Sequence, residues 1–200
     1  MLLHAFVPAS RANGPGLRAV VYFQGCNLNC AGCWNFLTHS FDGPEVSVAE
    51  VVNAVLEAHR RGPLEGITFS GGEPMQQASA LLVAMMEIRK AAPVLRFGMF
   101  TGYTEAELAA GTYFTREAVA VEEKQAVWRR IRGYLDFAVM GRYNYALPSR
   151  EPLRTSRNQK LVLFTGHYSE SDFGPQLVEI SIDTGGKTVL TGFPVLGVPA

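Results

Sequence analysis

The sequence predicts an α/β fold: a partial, open parallel βα barrel with a C-terminal β-hairpin. Three observations predict it. Short apolar runs rich in branched and aromatic residues alternate with stretches of helical period, which argues for right-handed crossovers and a mainly parallel sheet. A closed eightfold barrel typically takes about 250 residues, whereas only five such runs precede Gly166 in this chain of 200 residues. The barrel is therefore expected to stay open on one flank, where a large partner can enter. Beyond Gly166 the pattern changes to two short strand-like runs around a glycine-rich turn.

The first strand is expected at Arg18 to Phe23, and further strands at Gly66 to Ser70, Leu95 to Phe100, Leu135 to Met140 and Lys160 to Thr165. Runs this uniformly apolar suit strands buried on both faces. The first helix spans Ser47 to Arg61, because Val48, Val51, Val52, Val55 and Leu56 recur at helical spacing and Ser47 with Glu50 fits a capping box. A second helix covers Gln76 to Lys90, with Leu81, Met85 and Ile88 on one stripe. A shorter one starts at Thr104, with Glu107 three residues on, and another covers Glu122 to Arg132. In the tail, Leu177 to Ile182 and Lys187 to Thr191 flank the turn Asp183-Thr-Gly-Gly186. No repeat, low-complexity tract or linker divides the chain, so a single domain over residues 1–200 is expected.

Composition narrows the function classes. Apolar residues make up 48% of the chain, enough for one real core, and 18 basic residues balance 18 acidic ones. That balance disfavours a nucleic-acid backbone binder. The amino terminus Met-Leu-Leu-His-Ala-Phe-Val lacks the features of a signal peptide, and no apolar run approaches membrane-spanning length. The three cysteines all lie in the loop Gly25-Cys-Asn-Leu-Asn-Cys-Ala-Gly-Cys-Trp34. An odd count packed so closely cannot build a disulfide framework, so the expected setting is the reducing cytoplasm, with no membrane partner.

Cys26, Cys30 and Cys33 have the makings of a metal site. A cubane iron–sulfur cluster takes four thiolates, and three would leave one iron open to a small molecule. A structural zinc site completed by His4 or His39 is the competing reading of the same thiols. Position adds weight to the first. The cysteine loop follows the first strand, Gly71-Gly72-Glu73-Pro74 the second, Thr101-Gly102-Tyr103 the third and Gly141-Arg142-Tyr143 the fourth. In parallel α/β folds these carboxyl ends share one face and carry the ligand site. Gly71 and Gly72 fit a tight turn into the next helix, with Glu73 and Pro74 in its first turn. Beside three cysteines, the pair would also let a ligand approach the backbone, and a carboxylate would suit an amino group. Trp34 would shield a cluster, contact an adenine or simply be buried. Tyr103 and Tyr143 read as packing or rim residues, and Arg142, Arg150, Arg154, Arg157 and Lys160 as a solvated basic stretch.

The run Cys26-x-x-x-Cys30-x-x-Cys33 followed by an aromatic residue, with Gly71-Gly72-Glu73 after the next strand, resembles the signature of radical S-adenosylmethionine enzymes. Within that superfamily the chain resembles the small activating enzymes of glycyl-radical proteins, especially the activase of anaerobic ribonucleotide reductase. The supporting stretches are Asn13 to Arg18, Phe23 to Asn35, Ser70 to Pro74, Thr101 to Tyr103, Gly141 to Tyr143 and Ser156 to Gln159. Together they define a core of about residues 13–165, with the hairpin over 176–192 as an extension. The resemblance implies a 4Fe–4S cluster on Cys26, Cys30 and Cys33, with S-adenosylmethionine chelating the fourth iron through its amino and carboxylate groups. It implies that Gly71, Gly72 and Glu73 hold the amino group, that Gly32 and Trp34 line the adenine side, and that Thr101 and Gly102 serve the ribose or methionine region. The implied reaction is reductive cleavage to methionine and a 5′-deoxyadenosyl radical. An external one-electron donor of flavodoxin or ferredoxin type drives it, and the radical takes hydrogen from a glycine of a large partner. Two other readings stay open: the same cleavage serving a small molecule or peptide, and a noncatalytic zinc or iron–sulfur interaction module. The chain departs from the family pattern at Asn13, where related activases often carry Asp, at the inserted segment Gly111 to Val121, and in the terminal hairpin.

Overall fold

The computed structural model describes residues 1–182, 185–186 and 188–193. The fold is mixed α/β. Its main sheet has six strands in the order β1 (Leu3–Ser10), β2 (Arg18–Phe23), β3 (Gly66–Gly71), β4 (Arg96–Thr101), β5 (Phe137–Met140) and β6 (Lys160–Leu163). The central four run parallel, as the alternating pattern predicts, and both outer strands run antiparallel to their neighbours. All five expected strands form.

Two departures concern the sheet edges. β1 has no counterpart in the sequence-based expectation: its run carries Pro8, and the pairing with β2 is irregular between Val7 and Ser10. Proline belongs on edge strands and at bulges because it cannot donate to the ladder. β6 reverses direction because residues 141–159 form a loop without a crossover helix, so the chain returns as a neighbouring antiparallel strand.

The crossovers are α1 (Val48–Arg61), α2 (Ala78–Ala91), α3 (Glu105–Ala110) and α4 (Val121–Tyr134). Both expected capping boxes form: Ser47 with Glu50 at α1, and Thr104 with Glu107 at α3. A 3-10 turn over Pro74–Gln77 precedes α2, which therefore starts two residues after the expected Gln76. Helix α2 packs against both α1 and α4, and α3 packs against α4. Val51, Val55, Leu81, Met85, Ile88, Trp128 and Ile131 bury themselves against Val21, Phe69, Phe97 and Met99 on one face of the sheet. The strand residues between these point to the other face. There Phe137, Val139, Leu153, Tyr168, Phe173 and Phe193 form a second cluster, with Phe100 and Trp34 packed on it. This second face carries the site.

The hairpin of the tail consists of β7 (Val178–Ile182) and β8 (Thr188–Gly192). Asp183, Thr184 and Lys187 of its expected turn lie outside the described residues. Among the described residues, no helix is long and apolar enough to cross a membrane.

Candidate functional site

Register brings the carboxyl ends of the parallel strands level. Tyr22 pairs with Ser70, Phe23 with Gly71, and Thr101 with Met140. The loops that follow surround a cavity of about 1120 Å³, counting its open mouth. Of the residues expected in a site, Cys26, Cys30, Cys33, Trp34, Gly71, Gly72, Glu73, Thr101 and Gly102 all line it. Gly32 lies outside the lining, exposed beside the Tyr143 and Tyr145 rings. His4 and His39 also lie outside; His4 instead faces Gln24 at 3.0 Å.

The cysteine loop is anchored from several sides. Gly25 N–H donates to Thr38 O at 2.8 Å, Cys26 N–H to His39 O at 3.1 Å and Cys33 N–H to Cys30 O at 3.1 Å. Asn27 N–H donates to the buried Gln76 side chain, whose Nε2 also donates to Tyr103 OH at 3.0 Å. Gln77 Nε2 donates to Gln24 O at 2.9 Å. These two buried glutamines escaped the sequence reading, since neither spacing nor composition marks an amide whose partners lie about 50 residues away.

Gly71 and Gly72 bring two backbones into contact. Gly71 has φ +100°, and a Cβ there would lie 2.5 Å from Phe23 N; at Gly72 it would lie 2.4 Å from Gly25 O. Without side chains, the turn hydrogen-bonds directly to the cysteine strand and loop: Gly72 N–H to Phe23 O at 2.8 Å and Glu73 N–H to Gly25 O at 3.0 Å. Asn35 Nδ2 donates to Gly71 O at 3.3 Å. The glycine pair therefore fixes where the thiols stand.

Glu73 is 1% exposed. Its Oε1 accepts from Met75 N–H at 3.0 Å and the Thr101 hydroxyl at 2.8 Å, and its Oε2 from Gly102 N–H at 2.7 Å. Burial pushes the carboxyl up to about 7, against the pull of these donors and the Arg142 charge. Arg142 is engaged with Gly102 O at 3.0 Å and Glu107 at 2.7 Å, so this member of the expected solvated basic stretch braces the third loop. Tyr103 packs at 3% exposure, while Tyr143 lines the cavity with its ring centroid 6.0 Å from Trp34. The expected insertion packs behind the site: Arg116 N–H reaches Gln76 O at 2.8 Å and Phe114 N–H reaches Tyr103 OH at 3.1 Å.

Other lining residues lay outside the expected site. Asn13, Tyr22 and Ser70 contribute polar groups, Thr155 and Gln159 come from the long loop before β6, and Leu190, Thr191 and Phe193 come from the hairpin and its exit. Asn13 Nδ2 donates to Thr191 Oγ1 at 2.8 Å, and the Tyr22 hydroxyl also hydrogen-bonds Thr191.

The donor set fits an iron–sulfur cluster. Three thiols face one cavity, and backbone N–H groups point at two of them, Leu28 at Cys26 and Asn35 at Cys33. Such hydrogen bonds to sulfur tune a cluster. Burial pushes the Cys26 thiol up to about 12 and raises Cys33, so iron binding must displace protons. Among the described residues, no group of three His, Cys, Asp or Glu is arranged to hold a single metal ion, and the two candidate histidines do not join the thiols.

The model of the 4Fe-4S single cluster domain family matches residues 12–162. The chain belongs to this family, in its radical S-adenosylmethionine activase group. It is 32% identical over 112 residues to the anaerobic ribonucleoside-triphosphate reductase-activating protein of Vibrio cholerae, covering 54% of this chain and 72% of that one. The protein of the same name from Pasteurella multocida is 28% identical over 168 residues, 80% of this chain and 96% of the relative. A pyruvate formate-lyase-activating enzyme of Staphylococcus epidermidis is 36% identical over 91 residues, but the match covers 44% of this chain and 36% of that protein. Membership brings an iron–sulfur cluster and S-adenosylmethionine as cofactors and makes the chain an oxidoreductase.

Proposed function

We propose that this chain activates a glycyl-radical protein, an anaerobic ribonucleotide reductase in the first instance. The carrying observation is that three thiols and the Gly71-Gly72-Glu73 turn line one cavity, in a chain whose long matches are to activators of that reductase. Cys26, Cys30 and Cys33 would each hold one iron of the cluster. When bound, the cluster would supply one-electron reductive cleavage of S-adenosylmethionine, with the electron drawn from an external flavodoxin or ferredoxin, and so the hydrogen abstraction that makes a glycyl radical.

The side chains would orient and protect. With two donors on Oε1 and one on Oε2, the Glu73 carboxylate keeps one acceptor direction for the cofactor's ammonium. Thr101 and Gly102 fix that carboxylate and would stand behind the methionine region. Trp34 and Tyr143 would cover the adenine side, with Gly32 giving the loop room to turn beneath them. Phe100, Val139, Leu153 and Phe193 give the cavity an apolar wall, which keeps water and quenching groups from the radical. Across the sheet, the level strand ends agree with one side of a partial barrel in a single domain. The free thiols of Cys26, Cys30 and Cys33 support a reducing cytoplasmic setting. The test is anaerobic mixing of the reconstituted, reduced protein with S-adenosylmethionine and the glycyl-radical subunit from the same organism. A stable glycyl signal in electron paramagnetic resonance is expected; its absence with deoxyadenosine still forming would redirect the reaction to a small substrate.

A further inference from the structure

The β7–β8 hairpin has its polarity inverted. A sheet with one wet face normally turns its apolar residues inward and its polar ones to solvent. Here Glu179 and Thr191 turn inward. The Glu179 carboxylate takes Arg11 N–H at 2.9 Å and the Ser10 hydroxyl, and Thr191 meets Asn13 and Tyr22. The outward face carries Val178, Ile180, Ile182 and Leu190, exposed at 41%, 62%, 69% and 54%, with Ile180 paired across the strands to Leu190. A two-stranded hairpin is marginal by itself, and an apolar strand face left in water invites association. The face is also continuous with the site, because Leu190 belongs to it and to the cavity lining.

The geometry points to this outward face as the docking surface for the extended, uncharged segment of the partner that bears the target glycine. The assignment rests on the activase reading above. A polypeptide lying across Ile180 would also meet its cross-strand neighbour Leu190, which lines the cavity where the glycine must arrive. The face offers branched apolar side chains at strand spacing and no charged group among its described residues, which suits an extended apolar segment and disfavours a charged one.

The experiment uses the full chain, reconstituted and reduced, carrying Ile180→Thr and Ile182→Thr. Threonine keeps the branched, strand-favouring shape, and neither isoleucine lines the cavity. Deoxyadenosine formation without partner should match the wild type. The partner concentration giving half-maximal glycyl radical should rise at least about tenfold, with the maximal signal retained, and Val178→Thr should shift it less in the same direction. An unchanged concentration dependence overturns the assignment. So does a wild-type dimer in sedimentation that the double substitution dissociates, which would seat a second copy on this face. So too does tighter partner binding by a chain ending at Phe193, which would seat this chain's own tail there. If the wild type itself yields no glycyl radical, the activase reading falls and the docking assignment falls with it.

Discussion

Glu73 shows how a single side chain can serve both site and fold. Its carboxyl, raised to about 7 by burial against an ordinary 4.5, binds its proton more tightly in the folded protein than in the unfolded chain. Between those values the native state holds more protons, so its contribution to stability is present at low pH and lost as pH rises toward 7. The cofactor-free wild type should therefore gain about 2 kcal/mol relative to Glu73→Gln on going from pH 7.5 to 5.5, measured by denaturant unfolding. A pH-independent difference would show that the group titrates normally. At Gly72, a methyl group would meet the Gly25 carbonyl at 2.4 Å, and only a backbone shift relieves that. Gly72→Ala should cost about 1–3 kcal/mol and lower the iron retained per chain, because the displaced carbonyl directly precedes Cys26. Wild-type iron content in this variant would separate the turn from the thiols.

Elements link the two halves of the site. Helix α1 joins the cysteine loop to β3, and its start is fixed by the reciprocal Ser47–Glu50 box. Ser47→Ala should lower unfolding free energy by about 1 kcal/mol and leave deoxyadenosine formation unchanged, since the cap lies outside the cavity. Reduced turnover would instead tie the helix end to the chemistry. Both capping boxes were legible because they are local patterns of four residues. The parallel strands were legible because burial on both faces leaves a continuous apolar run. Strand β1 was not, because Pro8 and partly exposed positions blur its period. The reversal at β6 is written only in the lack of helical period between Met140 and Lys160.

Across the whole molecule, the sequence located the candidate ligands better than their supports. Cys26, Cys30, Cys33 and the Gly71-Gly72-Glu73 turn announce themselves by spacing, and the order of strands is enough to gather them on one face. Gln76 and Gln77 work through contacts about 50 residues away, and the hairpin reaches the cavity from the far end of the chain; distance in sequence hides both. The structure also adds a reason for the glycine pair, contact between two backbones. The account rests on a three-thiolate cluster that leaves an iron for S-adenosylmethionine. The most direct test is deoxyadenosine formation by the anaerobically reconstituted, reduced protein given S-adenosylmethionine, with wild type and Cys30→Ala side by side. The wild type should release deoxyadenosine and methionine in equal amounts and the variant none. Equal turnover by the two, or none by an iron-loaded wild type, would contradict it.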